Sequence, residues 1–291
     1  MSGSSTDEES IKKHRASVEK VSKLVTPKED VDIERFKVGE IDCEAIRLKE
    51  GFNPHYVILY AHGGGYLSGG LDYARILAVK MTAATGFPTI TFDYKLAPEN
   101  TYPAALEDIE AVWSQMTGGM VLPGHVILAG DSAGGNLVLC HTQKLIKEGR
   151  DLPGKLVLFS PWADMTGEAR SYETNGDIDP VLSKEFVLDA ARTYAGEGAD
   201  LSNPRFSPLF GDFEGFPSTF IMTGKNEILI DDSIRLCDRI NEAGGKAVLD
   251  IEERGWHVYQ QSPVRIASNA IKRLSAHIAE EINGDQRINE Q

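Results

Sequence analysis

A serine between glycines, where a predicted strand meets a predicted helix, is the feature of this 291-residue sequence that most directly suggests chemistry. Residues 130–134 read Gly-Asp-Ser-Ala-Gly after the apolar run Val126–Ala129 and before the helix-like residues 136–139. A serine on such a sharp turn projects its hydroxyl from the top of a sheet, and the flanking glycines are needed because a Cβ there would collide with neighbouring backbone. The pattern therefore predicts Ser132 as a nucleophile.

A second glycine cluster lies upstream, where residues 62–66 read His-Gly-Gly-Gly-Tyr after a strand-like run. Acyl transfer places negative charge on a former carbonyl oxygen, and each fixed backbone N–H donor near that oxygen stabilises it by about 3 kcal/mol. By position, we expect Gly64 and Gly65 to supply two such donors and Ala133, the residue after the serine, to supply the third. The alternative for this cluster is a simple turn after a strand.

A serine hydroxyl needs a base to take its proton, and that base is usually a histidine oriented by a carboxylate. The expected chain order on this kind of scaffold is serine, acid, histidine. Of the seven histidines, His62 belongs to the glycine cluster, and among the others only His257 follows a strand-like run, at residues 247–251, in a loop that ends near the next helix. His14, by contrast, lies in a charged tail. We therefore predict His257 as the base.

Three acids follow the strand-like residues 219–224, namely Glu227, Asp231 and Asp232. Glu227 is nearest the strand end, where open α/β sheets gather their site residues. The two aspartates precede a helical pattern, and acids in that position commonly serve as N-terminal caps. Glu227 is the predicted partner of the histidine, with Asp231 as the alternative.

These motifs resemble those of the hormone-sensitive lipase family of α/β-hydrolases, the bacterial type IV esterase group. Residues 62–65 resemble its HGGG loop, residues 130–135 match its GDSAGG elbow, and residues 93–99 resemble its DYRLAPE segment, with Lys95 in place of arginine. The family more often has aspartate at the position of Glu227, which bears on the assignment of the acid. The resemblance implies a serine carboxylesterase for short-chain esters that works through an acyl-enzyme and needs no metal or cofactor.

Two alternatives share this scaffold. The same triad could hydrolyse small cyclic esters, which would make the chain a lactone hydrolase, and it does not discriminate against amides. A non-catalytic small-molecule receptor is the alternative from a different class, as in plant gibberellin receptors that resemble the family. Such receptors lack the catalytic histidine, whereas His257 is present here.

Strands and helices alternate along much of the sequence, which indicates an α/β fold with a mostly parallel central sheet and helices on both faces. A long insertion at about residues 163–216 interrupts the alternation, and a helical cap over the active site is the usual explanation. The predicted division is an N-terminal tail and cap helix at 1–30, a catalytic domain at 31–162 and 217–291, and the cap at 163–216. We expect the insertion to bring apolar groups to the substrate pocket, among them Phe186, Tyr194 and Phe206.

The predicted cap helix over residues 8–25 rests on Ile11, Val18, Val21 and Val25, which fall close to one face at helical spacing. Its expected role at the pocket mouth is implied by the family resemblance. The same resemblance implies a possible homodimer through the last strand, near residues 247–252.

Composition narrows the choice of partners. The chain has 30 basic and 44 acidic residues, a formal charge of −14, which repels nucleic acid and anionic membrane surfaces. Cys43, Cys140 and Cys237 are too scattered for a disulfide framework or a metal site. The sequence shows neither a signal peptide nor a run long enough to span a membrane. These features predict a cytoplasmic protein whose partner is a small-molecule ester or lactone.

Overall fold

The computed structural model describes residues 8–24 and 29–289, and within them eight strands form one sheet. The strands are β1 (Val31–Val38), β2 (Ile41–Leu48), β3 (Val57–Ala61), β4 (Thr89–Phe92), β5 (Val126–Asp131), β6 (Lys155–Phe159), β7 (Ser218–Gly224) and β8 (Ala247–Glu252). Their spatial order is β1-β2-β4-β3-β5-β6-β7-β8. The pairs β1–β2 and β2–β4 are antiparallel, and β4, β3 and β5 to β8 run parallel. The predicted mostly parallel sheet is confirmed.

Helices cover both faces of this sheet. The α-helices of the described residues are α1 (Glu8–Leu24), α2 (Leu71–Thr85), α3 (Ala104–Thr117), α4 (Ala133–Lys147), α5 (Ser171–Thr174), α6 (Lys184–Ala195), α7 (Ile230–Glu242) and α8 (Arg265–Asn289). Neighbouring strand residues point to opposite faces, so Ile127 packs in a core with α2 and α8 while Leu128 packs in a core with α3 and α4. In the part of the chain that the structure describes, no helix has the length and apolar character needed to cross a bilayer.

The central strands explain where the site lies. Strands β3, β5 and β6 are buried along their whole length, as expected of parallel strands that are covered on both faces. Their carboxyl ends lie side by side, because Ala61 is in register with Gly130, and Asp131 with Phe159. The loops that leave these strands therefore meet at one edge of the sheet.

Residues 163–216 lie between β6 and β7 and contain α5, α6 and a short 3₁₀ turn at Pro208–Phe210. Helix α6 begins after Ser183, whose hydroxyl accepts the backbone N–H of Phe186 at 3.2 Å and so caps the first turn. The long connection is thus structured, as expected of a segment of that length inside a compact domain.

The helix predicted over residues 8–25 corresponds to α1, although Val25 lies outside the described residues. The expected apolar stripe is only partly correct. Ile11 is buried and Val18 half-buried, but Val21 is 56% exposed. The half-buried positions between them are His14 and Arg15, so a mixed polar and apolar face turns toward the protein.

Candidate active site

Ser132 lies on a strained turn between β5 and α4. Its φ of 53° is positive, a conformation that non-glycine residues adopt only where surrounding structure holds them. The glycines around it are required by close contacts: a Cβ at Gly134 would lie 2.1 Å from the carbonyl oxygen of Ala61, and one at Gly130 would lie 2.4 Å from that of Gly134. The strand–turn–helix geometry thus directs the serine hydroxyl out of the sheet edge.

Ser132, His257 and Glu227 form a continuous hydrogen-bonded chain. The Oγ–Nε2 distance from Ser132 to His257 is 2.9 Å, and the distance from Nδ1 of His257 to Oε2 of Glu227 is 2.6 Å. A carboxylate accepts hydrogen bonds only, so the Nδ1–H of His257 donates to Glu227 and Nε2 is left to accept the serine proton. All three side chains are buried, at 8%, 7% and 0% exposure. This order of donors and acceptors can transfer a proton away from the serine oxygen.

The carboxylate of Glu227 is held in place by the end of β7 and the end of β6. Its Oε1 accepts the backbone N–H of Gly224 and the hydroxyl of Ser160, both at 2.9 Å, and also the hydroxyl of Thr223. The hydroxyl of Ser160 in turn accepts the backbone N–H of Val258, next to His257, at 3.1 Å. A buried charge needs such partners, and here they orient the acid toward the imidazole.

Asp231, the alternative acid, lies elsewhere. Its Oδ2 accepts the backbone N–H of Ser171 at 2.9 Å. The neighbouring Asp232 accepts the N–H groups of Ala163 and Asp164 at 2.8 Å each. Both aspartates therefore connect the start of α7 to the insertion.

The environment of His257 changes its proton affinity in two directions. Burial lowers the pKa of the imidazole, but the hydrogen bond and negative charge of Glu227 outweigh that effect, so the pKa of His257 lies above its ordinary value of 6.5. Glu227 therefore both orients the ring and stabilises its cation.

The glycine loop after β3 is built around His62 and Asp131. The Nδ1–H of His62 donates to the carbonyl of Gly63 at 2.7 Å, and its ring stacks on Tyr94 with centroids 4.2 Å apart. Burial lowers the pKa of His62 to about 4, so the ring is neutral and serves as a packing element. Oδ1 of Asp131 accepts the backbone N–H of Gly63 at 2.7 Å.

The predicted oxyanion donors are the backbone N–H groups of Gly64, Gly65 and Ala133. Gly64 and Gly65 have φ values of 117° and 64°, which favour glycine. Within the described residues, none of these three N–H groups donates to a protein acceptor. Gly64 and Gly65 line the same cavity as Ser132 and His257, and Ala133 is buried at the start of α4.

The cavity above Ser132 has a volume of about 180 Å³. The cavity wall toward the insertion is apolar, and the wall toward α1 and α2 is more polar. Beyond the residues already named, the lining residues are Trp162, Val181, Leu182, Phe186, Val187, Ala190, Leu229, Val18, His14, Ser68 and Tyr73. Over residues 8–24 and 29–289, no three His, Cys, Asp or Glu side chains are grouped so that they could hold a metal ion.

Comparison with known proteins agrees with this architecture. Residues 58–261 match a family model described as an alpha/beta hydrolase fold. An esterase of Acinetobacter venetianus is 30% identical over 84% of this chain and 80% of its own length, and an acetyl-hydrolase of Streptomyces hygroscopicus is 34% identical over 75% and 72%. The crystal structure of an esterase from the bacterial hormone-sensitive lipase family superposes with a TM-score of 0.89 at 33% identity, covering 94% of this chain and 92% of that one.

The chain belongs to the hormone-sensitive lipase family of α/β-hydrolases. The resemblance stated from its motifs is therefore confirmed. In this member of the family, the three predicted pocket residues of the insertion have different environments. Phe186 lines the cavity, whereas Tyr194 stacks on Tyr66 with centroids 3.7 Å apart and Phe206 packs edge-on against Tyr102 at 5.0 Å. The expectation for Tyr194 and Phe206 is corrected: both are core residues, because aromatic partners beneath the insertion bury them.

Several residues that line the cavity of this hormone-sensitive lipase family member could not be predicted from the sequence motifs. His14 lines the cavity from α1, with its ring 5.5 Å from that of Phe186. A signal for it existed, because His14 lies three residues after Ile11 and four before Val18, on the same helix face. Trp162 had no comparable signal, since only the fold brings the residues after β6 next to Ser132, where the backbone N–H of Trp162 donates to the carbonyl of Ser132 at 3.1 Å.

Proposed function

We propose that Ser132 is the nucleophile of this enzyme, His257 its general base and acid, and Glu227 the residue that orients the imidazole. The observation that carries the proposal is the unbroken chain from Ser132 Oγ through both ring nitrogens of His257 to Glu227, at 2.9 Å and 2.6 Å. Such a chain matches the role of each group in serine acyl transfer.

The chain is a carboxylic ester hydrolase, because it belongs to the hormone-sensitive lipase family and its relatives are named esterase, acetyl-hydrolase and carboxylesterase. Its chemistry is that of a serine carboxylesterase.

In the proposed first half-reaction, the oxygen of Ser132 attacks the ester carbonyl while Nε2 of His257 takes the serine proton. Gly64, Gly65 and Ala133 then stabilise the oxyanion through their N–H groups. The imidazolium, stabilised by Glu227, returns its proton to the leaving alcohol, and an acyl-enzyme results. In the second half-reaction, His257 takes a proton from water, whose oxygen attacks the acyl carbonyl. The imidazolium then returns that proton to the oxygen of Ser132 as the bond between the acyl group and the serine breaks, and the carboxylic acid is released.

We further propose that the acyl group is short and that residues 163–216 act as a cap over it. The cavity of about 180 Å³ is small, and its apolar wall comes from Val181, Leu182 and Phe186 of that segment. The name acetyl-hydrolase of one relative points in the same direction. The homodimer through the last strand and the cytoplasmic location stay predictions from the sequence.

The test is hydrolysis of a p-nitrophenyl ester series from acetate to palmitate by wild-type protein and by Ser132→Ala. We expect wild-type turnover to be highest for the short esters and to vanish in the variant. Turnover that survives in folded Ser132→Ala contradicts the assigned nucleophile. If folded wild-type protein hydrolyses a small lactone but none of these esters, the proposed substrate changes from an acyclic to a cyclic ester.

A further inference from the structure

A short segment of the insertion, just before α6, connects the loop of Glu227 to the wall of the substrate cavity. The carboxylate at its centre is that of Asp179. Oδ1 of Asp179 accepts the backbone N–H groups of Val181 at 2.8 Å and Leu182 at 3.0 Å. Oδ2 accepts the backbone N–H of Ile228 at 2.9 Å. One side chain thus holds three N–H groups from two distant stretches of the chain.

Both of these stretches belong to the site. Val181 and Leu182 line the cavity above Ser132, and Ile228 directly follows the acid Glu227. Hydrogen bonds to an ionised carboxylate are roughly twice as strong as those between neutral groups. Any displacement of Asp179 therefore moves the cavity wall and the acid loop together.

Asn175 makes a second connection between the same two stretches. Its Nδ2 donates to the carbonyl oxygens of Lys225 at 3.0 Å and Glu227 at 2.9 Å. The carbonyl of Asn175 also accepts the backbone N–H of Asp179 at 2.9 Å. The backbone of the acid loop is consequently held on both sides of Glu227, by a neutral amide on one side and a carboxylate on the other.

We propose that Asp179 is a positioning residue for ester hydrolysis, because its carboxylate fixes the wall of the acyl cavity and the loop of Glu227 in one arrangement. The inference rests on the proposed function of Ser132, His257 and Glu227. It assigns to the insertion a part in aligning the triad, beyond covering the substrate.

The charge of Asp179 also reaches His257. After burial, which lowers the pKa of His257, and Glu227, which raises it, the carboxylates of Asp179 and Asp131 raise it further. The titratable groups that face this imidazole come from the acid loop, the insertion, β5, α1 and α2, and they are Glu227, Asp179, Asp131, His14 and Tyr73. Removal of the Asp179 charge should therefore lower the pKa of His257, which a purely structural role would not do.

The test compares Asp179→Asn with Asp177→Asn. Both remove one negative charge from the same segment, but Asp177 is exposed and makes none of the contacts described for Asp179. In Asp179→Asn we expect kcat to fall about tenfold, since small misplacement of catalytic groups is costly, and the acidic limb of kcat/KM to move to lower pH. In Asp177→Asn, both should match the wild type. A folded Asp179→Asn with wild-type kcat and an unmoved limb overturns the proposal.

Two further measurements separate this inference from the proposed function. Asn175→Ala removes the neutral connection, so kcat should fall while the acidic limb of kcat/KM stays in place. This variant also serves as the test if Asp179→Asn does not fold. Wild-type kcat in Asn175→Ala would overturn the proposed positioning role. If wild-type hydrolysis does not depend on Ser132, the proposed function fails. The NMR titration of the His257 ring in wild type and Asp179→Asn then tests the inference directly, and equal pKa values contradict it.

Discussion

The carboxylate of Asp131 accepts the backbone N–H of Gly63 at 2.7 Å, although the two residues are 68 positions apart. Asp131 directly precedes the serine, and Gly63 begins the loop that carries the expected oxyanion donors. The hydroxyls of Tyr60 and Tyr73 donate to the same carboxylate. The nucleophile turn and the glycine loop are therefore parts of one hydrogen-bonded structure, and the spacing between attacking oxygen and oxyanion donors depends on a residue that does not itself react.

The first prediction concerns this connection. In Asp131→Asn, the amide can accept fewer of the three donors, so the glycine loop should shift relative to Ser132. We expect kcat to fall about tenfold to a hundredfold with a smaller change in KM, since oxyanion donors act mainly in the transition state. Steady-state kinetics on p-nitrophenyl acetate measures both constants, and wild-type kcat in a folded variant would contradict the role of Asp131.

The second prediction uses two neighbouring glycines as a matched pair. A Cβ at Gly64 would lie 2.1 Å from the carbonyl oxygen of Ser68, whereas one at Gly65 would lie 3.5 Å from the side chain of Ala190, an ordinary contact. Both have positive φ, so both substitutions introduce backbone strain. Gly64→Ala must also move the loop, and we expect it to lower kcat about a hundredfold or more, with a smaller loss in Gly65→Ala. Equal losses in kcat would contradict the steric argument.

The fold and the three residues of the hydrogen-bonded chain could be predicted from the sequence, with Asp231 open as the alternative acid, for a physical reason. Ser132, Glu227 and His257 each follow a strand of a parallel sheet, and the carboxyl ends of such strands meet at one edge. The positions of Tyr194 and Phe206 could not be predicted, because whether an aromatic side chain of the insertion faces the substrate or the core depends on partners such as Tyr66 and Tyr102.

The residues on the inner face of α1 could not be predicted from the sequence either. Its apolar spacing predicted a packed helix but suggested Val21 for the inner face, where His14 and Arg15 lie instead. Arg15 is drawn inward by carbonyl oxygens of Leu67 and Ala97 and by the carboxylate of Glu99, at distances of 2.6 to 2.8 Å. Such polar partners come from distant loops and leave no periodic pattern in the sequence.

The third prediction distinguishes the two candidate acids. Glu227→Gln removes the charge that stabilises the imidazolium and the acceptor that selects its tautomer, so kcat should fall roughly 10³- to 10⁴-fold. Asp231→Asn weakens one hydrogen bond from Ser171 and should lower the free energy of unfolding by about 1 kcal/mol, with kcat within about twofold of wild type. Kinetics and denaturant unfolding of both variants decide the assignment; the reverse pattern would make Asp231 the acid.

The fourth prediction tests the cavity wall. Phe186→Ala enlarges the cavity, so the preferred p-nitrophenyl ester should shift to a longer acyl chain. Phe206→Ala removes a buried ring that does not line the cavity, so it should leave the chain-length preference as it is and lower stability by about 3 to 5 kcal/mol. The ester series and thermal unfolding measure the two effects. A shift in preference only in Phe206→Ala would contradict the placement of both rings.

The last prediction concerns pH. His257 must be neutral to accept the proton of Ser132, and Glu227 holds its pKa above 6.5. Because the protonated fraction grows as pH falls through that pKa, kcat/KM should decline tenfold per pH unit on an acidic limb whose midpoint lies above pH 6.5. In Glu227→Gln the stabilising charge is absent, so the residual activity should show its midpoint at lower pH. A wild-type profile that stays flat down to about pH 4 is incompatible with an imidazole base. A midpoint unchanged by Glu227→Gln would mean that another group raises the pKa of His257.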